Sequence, residues 1–153
     1  MNGSASHPDP HPVPRQRWMG VLARASGELA AFESVLKDVR YQVIRPPEIG
    51  MALVRGRMGG TGSAFNLGEM SVTRCVVRLD DGATGYSYVA GRDKRHAELA
   101  ALADAHLQGA QQSRWLRELI EPLAESQRAC RAAAAAETAT TQVEFFTLVR
   151  GED

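Results

Sequence analysis

The chain has 153 residues, of which 44% are hydrophobic and 24% are charged. This length and composition are typical of one globular domain with its own core. Its 18 basic and 18 acidic residues give a formal net charge of +0. That balance excludes binding to nucleic acid or an anionic membrane through an overall positive field, so any anion-binding function must be local.

The first part of the chain predicts a disordered tail and then two helices. Residues 1–14 alternate prolines with small or polar residues, and the histidines there lack the further ligands that a metal site needs. Residues 15–39 carry apolar side chains at helical spacing, interrupted at Ser26-Gly27, where Ser26 could cap a second helix. We expect a helical hairpin that covers a sheet, and a single domain over residues 15–153.

The middle of the chain predicts strands joined by turns. Pro46-Pro47 should end the first strand, because proline cannot continue a ladder of hydrogen bonds. A glycine-rich loop separates the next two strands, and the tight turn at Asp80-Asp81-Gly82 precedes the last. Short connections of this kind favour an antiparallel meander. The predicted strands are residues 41–45, 50–58, 69–79 and 84–90.

Helices follow, over residues 92–108 and 113–136, and Pro122 should kink the second or lie in the first turn of a new helix. The alanine run 132–136 either lets another helix approach closely or faces solvent. The apolar residues 143–149 should pair as a strand, enter the core or insert into another protein, because exposure would favour aggregation. The predicted fold class is α+β: an antiparallel β-meander flanked by an N-terminal helical hairpin and C-terminal helices.

The glycine loop is the first candidate site. Glycines adopt positive φ and let backbone N–H groups converge on an anion, and a basic side chain stands beside them. The spacing matches neither a Walker A loop nor a dinucleotide fingerprint, since a strand follows instead of a helix. The alternative is a wide hairpin loop that needs glycine for its turns. The candidate residues are Arg57, Gly59, Gly60, Thr61 and Gly62.

The second candidate site is a basic helix start. Cations in a first helical turn cost about 0.3–1 kcal/mol each, and a capping Asp93 would offset part of that cost. A phosphate, phosphonate or carboxylate could supply the missing negative charge. Two alternatives account for the basic cluster equally well. It faces an acidic patch on a partner, or it is a solvated basic surface that Glu98 partly neutralises. The basic residues are Arg92, Lys94, Arg95 and His96.

Cysteine usage and the absence of several motifs narrow the class of protein. Cys75 and Cys130 are far apart and fit no metal-ligand spacing, which favours free thiols in the cytoplasm. The sequence has no apolar run of the kind that forms a membrane span or a secretory signal, so neither is expected. The sequence has no catalytic triad order, nucleophile elbow or zinc-protease motif, and no metal site is expected.

A series of short motifs, taken in order, closely resembles the PhnG family, whose members are subunits of the bacterial carbon–phosphorus lyase system. The series covers about residues 15–151. Taken together, the motifs are specific for this family, although no single motif is. The matching segments are residues 15–19, 21–23, 43–45, 57–62, 73–74, 77–79, 85–89, 91–98 and 145–151.

This resemblance implies a place in a complex with the family's H, I and J subunits. With ATP as co-substrate, that complex attaches a phosphonate to C1 of the ATP ribose and expels adenine, and later steps break the carbon–phosphorus bond. The resemblance implies that the I subunit is the main catalyst and that this chain, not active alone, assists without a cofactor of its own. Whether the chain forms a homodimer in the absence of these partners stays an open question. The alternative function is a stand-alone phosphate- or nucleotide-binding protein.

Overall fold

The computed structural model describes residues 14–141. The predicted tail up to residue 13 and the apolar segment 143–149 therefore lie outside the described residues. Helices α1 to α3 come first: Pro14–Leu22, Ser26–Leu29 and Glu33–Leu36, the last two linked by a 3-10 turn, Ala30–Phe32. Strands β1 to β3 are Tyr41–Arg57, Ala64–Leu79 and Thr84–Ala90. Helices α4 to α6 are Lys94–His106, Gln112–Trp115 and Glu121–Thr141, with a π-helical stretch, Leu116–Ile120, before α6.

The three strands form one antiparallel sheet in the order β1-β2-β3, which confirms the predicted α+β meander. The helices flank the sheet, but the N-terminal helices do not form a hairpin that packs directly on the strands. Helix α4 covers one face of β2 and β3, and the N-terminal helices pack on α4. The core therefore lies between the inner face of the sheet, α4 and the N-terminal helices.

The prediction that Pro46-Pro47 ends a strand was wrong. Strand β1 continues through both prolines, and its register against β2 shifts between Val43 and Arg45 and again between Arg45 and Glu48. Because β1 lies at the edge of the sheet, a proline there removes no hydrogen bond that a further strand would need. Strand β2 is also longer than predicted, since it begins at Ala64 rather than residue 69.

Glycine is required where α4 lies closest to the sheet. A Cβ atom at Gly85 would overlap the carbonyl oxygen of Ala101 and come within 2.6 Å of the nitrogen of Ala105. Two small residues on α4 and one glycine on β3 thus allow the two backbones to meet. The N-terminus of α4 follows the end of β3 after the link 91–93, and the second candidate site lies at this junction.

The C-terminal helix leaves the body of the protein. Pro122 lies in the first turn of α6, which is one of the two predicted outcomes and suits a residue without an N–H group. Leu123 is buried, whereas every residue from 128 to 140 is exposed, including the alanine run. We call residues 128–140 the helical extension. Over the residues that the structure describes, no helix is long and apolar enough to cross a membrane.

Candidate functional site

The glycine loop lies at the tip of a two-stranded projection. Strand β3 pairs with β2 only from Val72 to Arg78, so β1 and β2 continue beyond it without a third strand. We call residues 50–71 the β-arm. Its strands pair from Met51 with Ser71 to Arg57 with Ala64, and residues 64–70 of β2 are all exposed. The first candidate site is therefore held away from the core.

The loop glycines serve the turn. Gly59 and Gly60 have φ angles of 61° and 77°, in the region that favours glycine. The N–H groups of Thr61 and Gly62 both donate to the carbonyl oxygen of Met58, the second over 3.0 Å. These two N–H groups are thus already bonded within the turn. Of the predicted anion cradle, the exposed Arg57 side chain is left to face a ligand.

The second candidate site is organised around a helix cap. The carboxylate of Asp93 accepts a hydrogen bond of 2.9 Å from the His96 backbone N–H, which confirms the predicted cap of α4. This N–H bond is the main reason that the pKa of Asp93 lies below its ordinary value. Ser26 caps no helix with its side chain, contrary to prediction, and instead donates to Asp93 over 3.0 Å. The cap already supplies one negative charge at this helix end.

The four basic residues differ in what they contact. Arg95 forms an ion pair with Glu33, which holds the pKa of that carboxylate below its ordinary value. His96 is buried, and its Nε2 atom lies 2.8 Å from the carbonyl oxygen of Leu22. Arg92 precedes the cap, outside the predicted first turn, and Lys94 begins the helix. Both are exposed and have no ion-pair partner among residues 14–141, so they are the two cations free to bind a ligand.

The structure does not bring the two candidate sites together. Gly91 donates to Ser71 over 2.8 Å, so Arg92 lies at the base of the β-arm while Arg57 lies at its tip. Seven residue steps along a strand separate these ends, which corresponds to about 23 Å. One chain therefore presents two separate positive regions, and a small anion cannot contact both.

A buried carboxylate that the sequence prediction missed joins three elements. Asp104 on α4 is fully buried and accepts hydrogen bonds from Arg15 (2.7 Å), from the Trp18 indole (2.8 Å) and from the Tyr86 backbone N–H (2.9 Å). The sequence did contain a signal for this carboxylate, namely an acidic residue on the apolar stripe of a helix, where a charge needs partners. All of its contacts are internal, so we assign it a structural role.

The clefts of the body do not coincide with the candidate sites. A cleft of about 510 Å³ lies between α3, the β2–β3 turn and α5, with His106 and Trp115 in its wall. Neither it nor the smaller clefts found among the described residues includes any of the predicted anion-binding residues. Across residues 14–141 no group of three or more potential metal ligands occurs. The candidate residues thus form open surfaces rather than an enclosed pocket.

Comparison with known proteins gives matches over nearly the whole chain. The family model described as "Phosphonate metabolism protein PhnG" matches residues 13–151. The alpha-D-ribose 1-methylphosphonate 5-triphosphate synthase subunit PhnG of Rhizobium meliloti (strain 1021) is 41% identical over 155 residues, covering 100% of this chain and 99% of the relative. The similarity therefore includes both candidate sites, the β-arm and the helical extension.

Proposed function

The chain belongs to the PhnG family of phosphonate-metabolism proteins, and we propose that it is a subunit of alpha-D-ribose 1-methylphosphonate 5-triphosphate synthase. The observation that carries the proposal is the full-length identity of 41% to a protein of that name. The open character of the candidate sites supports a subunit role, because enclosed enzyme sites exclude water from the reacting atoms and these surfaces do not. The proposal includes the H, I and J subunits as partners and a cytoplasmic location, where ATP is available.

The reaction brings together two anions, a phosphonate and ATP, and the triphosphate of ATP stays on the ribose. An oxygen of the phosphonate forms a bond to C1 of the ribose, and the bond from C1 to adenine breaks with its electron pair leaving on the base. We assign this bond exchange to a partner subunit. This chain supplies positive charge at two separate surfaces, Arg57 at the tip of the β-arm and Arg92 with Lys94 at its base, and we assign each to an anion site that a partner subunit completes.

Reconstitution tests the proposal. The chain should be produced with the H, I and J subunits, and adenine release from ATP and methylphosphonate should be measured by chromatography. We expect release with all four chains and none without this one, or with this one alone. Full activity of the H, I and J subunits without this chain would contradict a required role, and turnover by the isolated chain would contradict an assisting one.

Substitutions test the assigned residues separately. We expect Arg57→Ala, and Arg92→Ala with Lys94→Ala, each to lower activity about 10–100-fold, the effect of one or two lost charge-assisted hydrogen bonds. The complex should still assemble. Arg117→Ala is the matched control, because Arg117 is exposed and belongs to neither site. If assembly is lost instead, these cations belong to an interface.

The alternative is a stand-alone phosphate- or nucleotide-binding protein, for which the exposed cations are the supporting observation. Calorimetry of the isolated chain with ATP distinguishes the two functions. Binding that requires Arg57 or Arg92 would favour the alternative, and the absence of heat would remove it.

A further inference from the structure

The β-arm exposes large apolar side chains in water. Met51, Leu53 and Leu67 expose 60%, 62% and 63% of their surface, and Met58 at the tip exposes 78%. Phe65 and Met70 are also exposed. Several large exposed apolar side chains in one short segment are typical of a protein-interaction surface rather than of scattered surface residues.

The apolar side chains occupy both faces of the β-arm. Leu53 pairs with Glu69, and paired residues of antiparallel strands point to the same face. The side chain of Leu67 lies over Gly56, where an added Cβ would come within 2.6 Å of Cδ1 of Leu67. Because positions 53 and 56 of one strand point to opposite faces, Leu53 and Leu67 do as well. A flat partner surface would cover only one of them.

The size of the β-arm excludes a groove on the described part of a second copy. A groove that covers both faces of a ribbon about 23 Å long must enclose on the order of several thousand Å³, because packed layers lie about 10 Å apart. The cleft of about 510 Å³ in the body is far smaller. Pairing between the edges of two β-arms would satisfy backbone groups but would leave the apolar faces in water. The 41% identical relative is named as a synthase subunit, and on this ground we take the occupant to be a different polypeptide.

The charge of the β-arm specifies this partner further. Arg55 and Arg57 lie near the tip, are exposed and have no ion-pair partner within the described chain. Glu69 is the acidic residue of the β-arm and lies toward its base, opposite Leu53. A groove that takes this segment should be apolar along its length and negatively charged where it meets Arg55, while Arg57 stays free for the anion of the proposed function.

We propose that the β-arm inserts into an apolar groove of another synthase subunit, which covers both of its faces and presents negative charge to Arg55. This inference rests on the proposed function. A two-stranded ribbon is marginally stable in water, so the partner would also stabilise it. Insertion would carry the glycine loop into the partner and make a shared anion site there.

The test uses one substitution on each face. Leu53→Asn and Leu67→Asn should be produced with the H, I and J subunits, and the amount of this chain recovered with a tagged I subunit should be measured. Burial of a leucine favours association by a factor of about 10–100, so each variant should lower the affinity by that factor. Val35→Asn is the control, since Val35 is 45% exposed and lies on α3, outside the β-arm. It should change recovery less than twofold.

The outcomes separate this inference from the proposed function. If the wild-type chain does not associate with the H, I and J subunits, the proposed function fails. If the wild type associates but either leucine variant associates equally well, insertion with both faces covered is wrong. If gel filtration shows a dimer of the free chain that Leu53→Asn dissociates, a second copy occupies the β-arm and the inference is overturned. Both variants should keep the wild-type unfolding midpoint, because the replaced side chains are exposed.

Amide hydrogen exchange of the wild-type chain gives an independent measurement that needs no variant. Residues 51–57 and 64–70 should exchange fast in the free chain and become protected at least about tenfold in the complex. Equal exchange rates in the two states would contradict insertion.

Discussion

The same two strands pass through two different environments. From Val72 to Arg78, strand β2 has neighbours on both edges and α4 over its inner face, where Thr73, Cys75 and Val77 are fully buried. From residue 64 to 70 it has one neighbour and no covered face. In the body the strand is stabilised by packing, whereas in the β-arm it is stabilised by cross-strand pairs alone. Continuous secondary structure therefore does not mean uniform stability.

Glycine serves a different purpose in each region. In the body, Gly85 allows α4 to touch the sheet, so the space of its missing side chain is already occupied. In the β-arm, a Cβ at Gly50 would meet nothing within 4 Å, and the tip glycines are needed for their positive φ angles. The body should thus be intolerant of added volume at Gly85, and the β-arm should tolerate it at Gly50.

The largest expected effect comes from a pair of glycine substitutions. Gly85→Ala should lower the free energy of unfolding by at least about 4 kcal/mol, because its Cβ overlaps the backbone of α4 and one of the two must move. Gly50→Ala, the matched control in the β-arm, should change it by less than about 0.5 kcal/mol. Urea unfolding followed by circular dichroism measures both. Equal losses would contradict the division into two regions.

The next effect concerns the Asp104 hydrogen-bond network. Asp104→Asn removes the charge that pairs with Arg15 and leaves fewer acceptors for the buried N–H groups of Trp18 and Tyr86. We expect a loss of about 3 kcal/mol in the free energy of unfolding. Asp80→Asn is the control, because Asp80 is exposed, and it should change stability by less than about 0.5 kcal/mol. A small effect of Asp104→Asn would mean that packing alone fixes α1 on α4.

A smaller effect should appear at alkaline pH. Burial, and then the 2.7 Å hydrogen bond to Glu98, raises the pKa of Tyr41 to about 12 from an ordinary value of 10.0. The folded state therefore favours the neutral phenol. Its contribution to stability is fully present below about pH 10 and is lost as the pH rises through about 12.

Unfolding midpoints measured at about pH 9 and at about pH 11 should fall more for the wild type than for Tyr41→Phe, which has no group to ionise at this position. Tyr88→Phe is the control, since Tyr88 is 55% exposed on the uncovered face of the sheet, and it should keep the wild-type slope. An unchanged slope in Tyr41→Phe would place the alkaline sensitivity elsewhere.

Local patterns predicted the body well. The strand Thr84–Ala90 and the Asp93 cap each depend on residues close in sequence, so the sequence alone predicted them, whereas for Pro122 it left two outcomes of which the structure shows one. The passage of β1 through Pro46-Pro47 could not be predicted in this way, because it depends on β1 lying at the sheet edge. A predicted strand boundary at a proline holds only where both edges of the strand are paired.

The candidate sites were predicted less completely than the fold. Their sequence positions were found, but the contacts that divide the basic cluster are tertiary: Glu33 of α3 pairs with Arg95, and Leu22 of α1 contacts His96. The length of the β-arm depends on where β3 stops pairing with β2. No sequence pattern within β1 or β2 indicates that position. Whether the remaining Arg57, Arg92 and Lys94 bind anions stays a prediction.

The smallest expected effect concerns the two cysteines. One thiol lies in the body and the other lies on the helical extension. Cys75 is fully buried, and burial raises the pKa of its thiol to about 11, whereas Cys130 is exposed. A thiol reagent at neutral pH should therefore label one cysteine rapidly in the native chain and the second only on unfolding. Cys130→Ser should abolish the rapid phase and change the free energy of unfolding by less than about 0.5 kcal/mol. Slow labelling of Cys130 in the free chain would show that the helical extension is covered. Slow labelling only in the complex would add the extension to the contact surface of the β-arm.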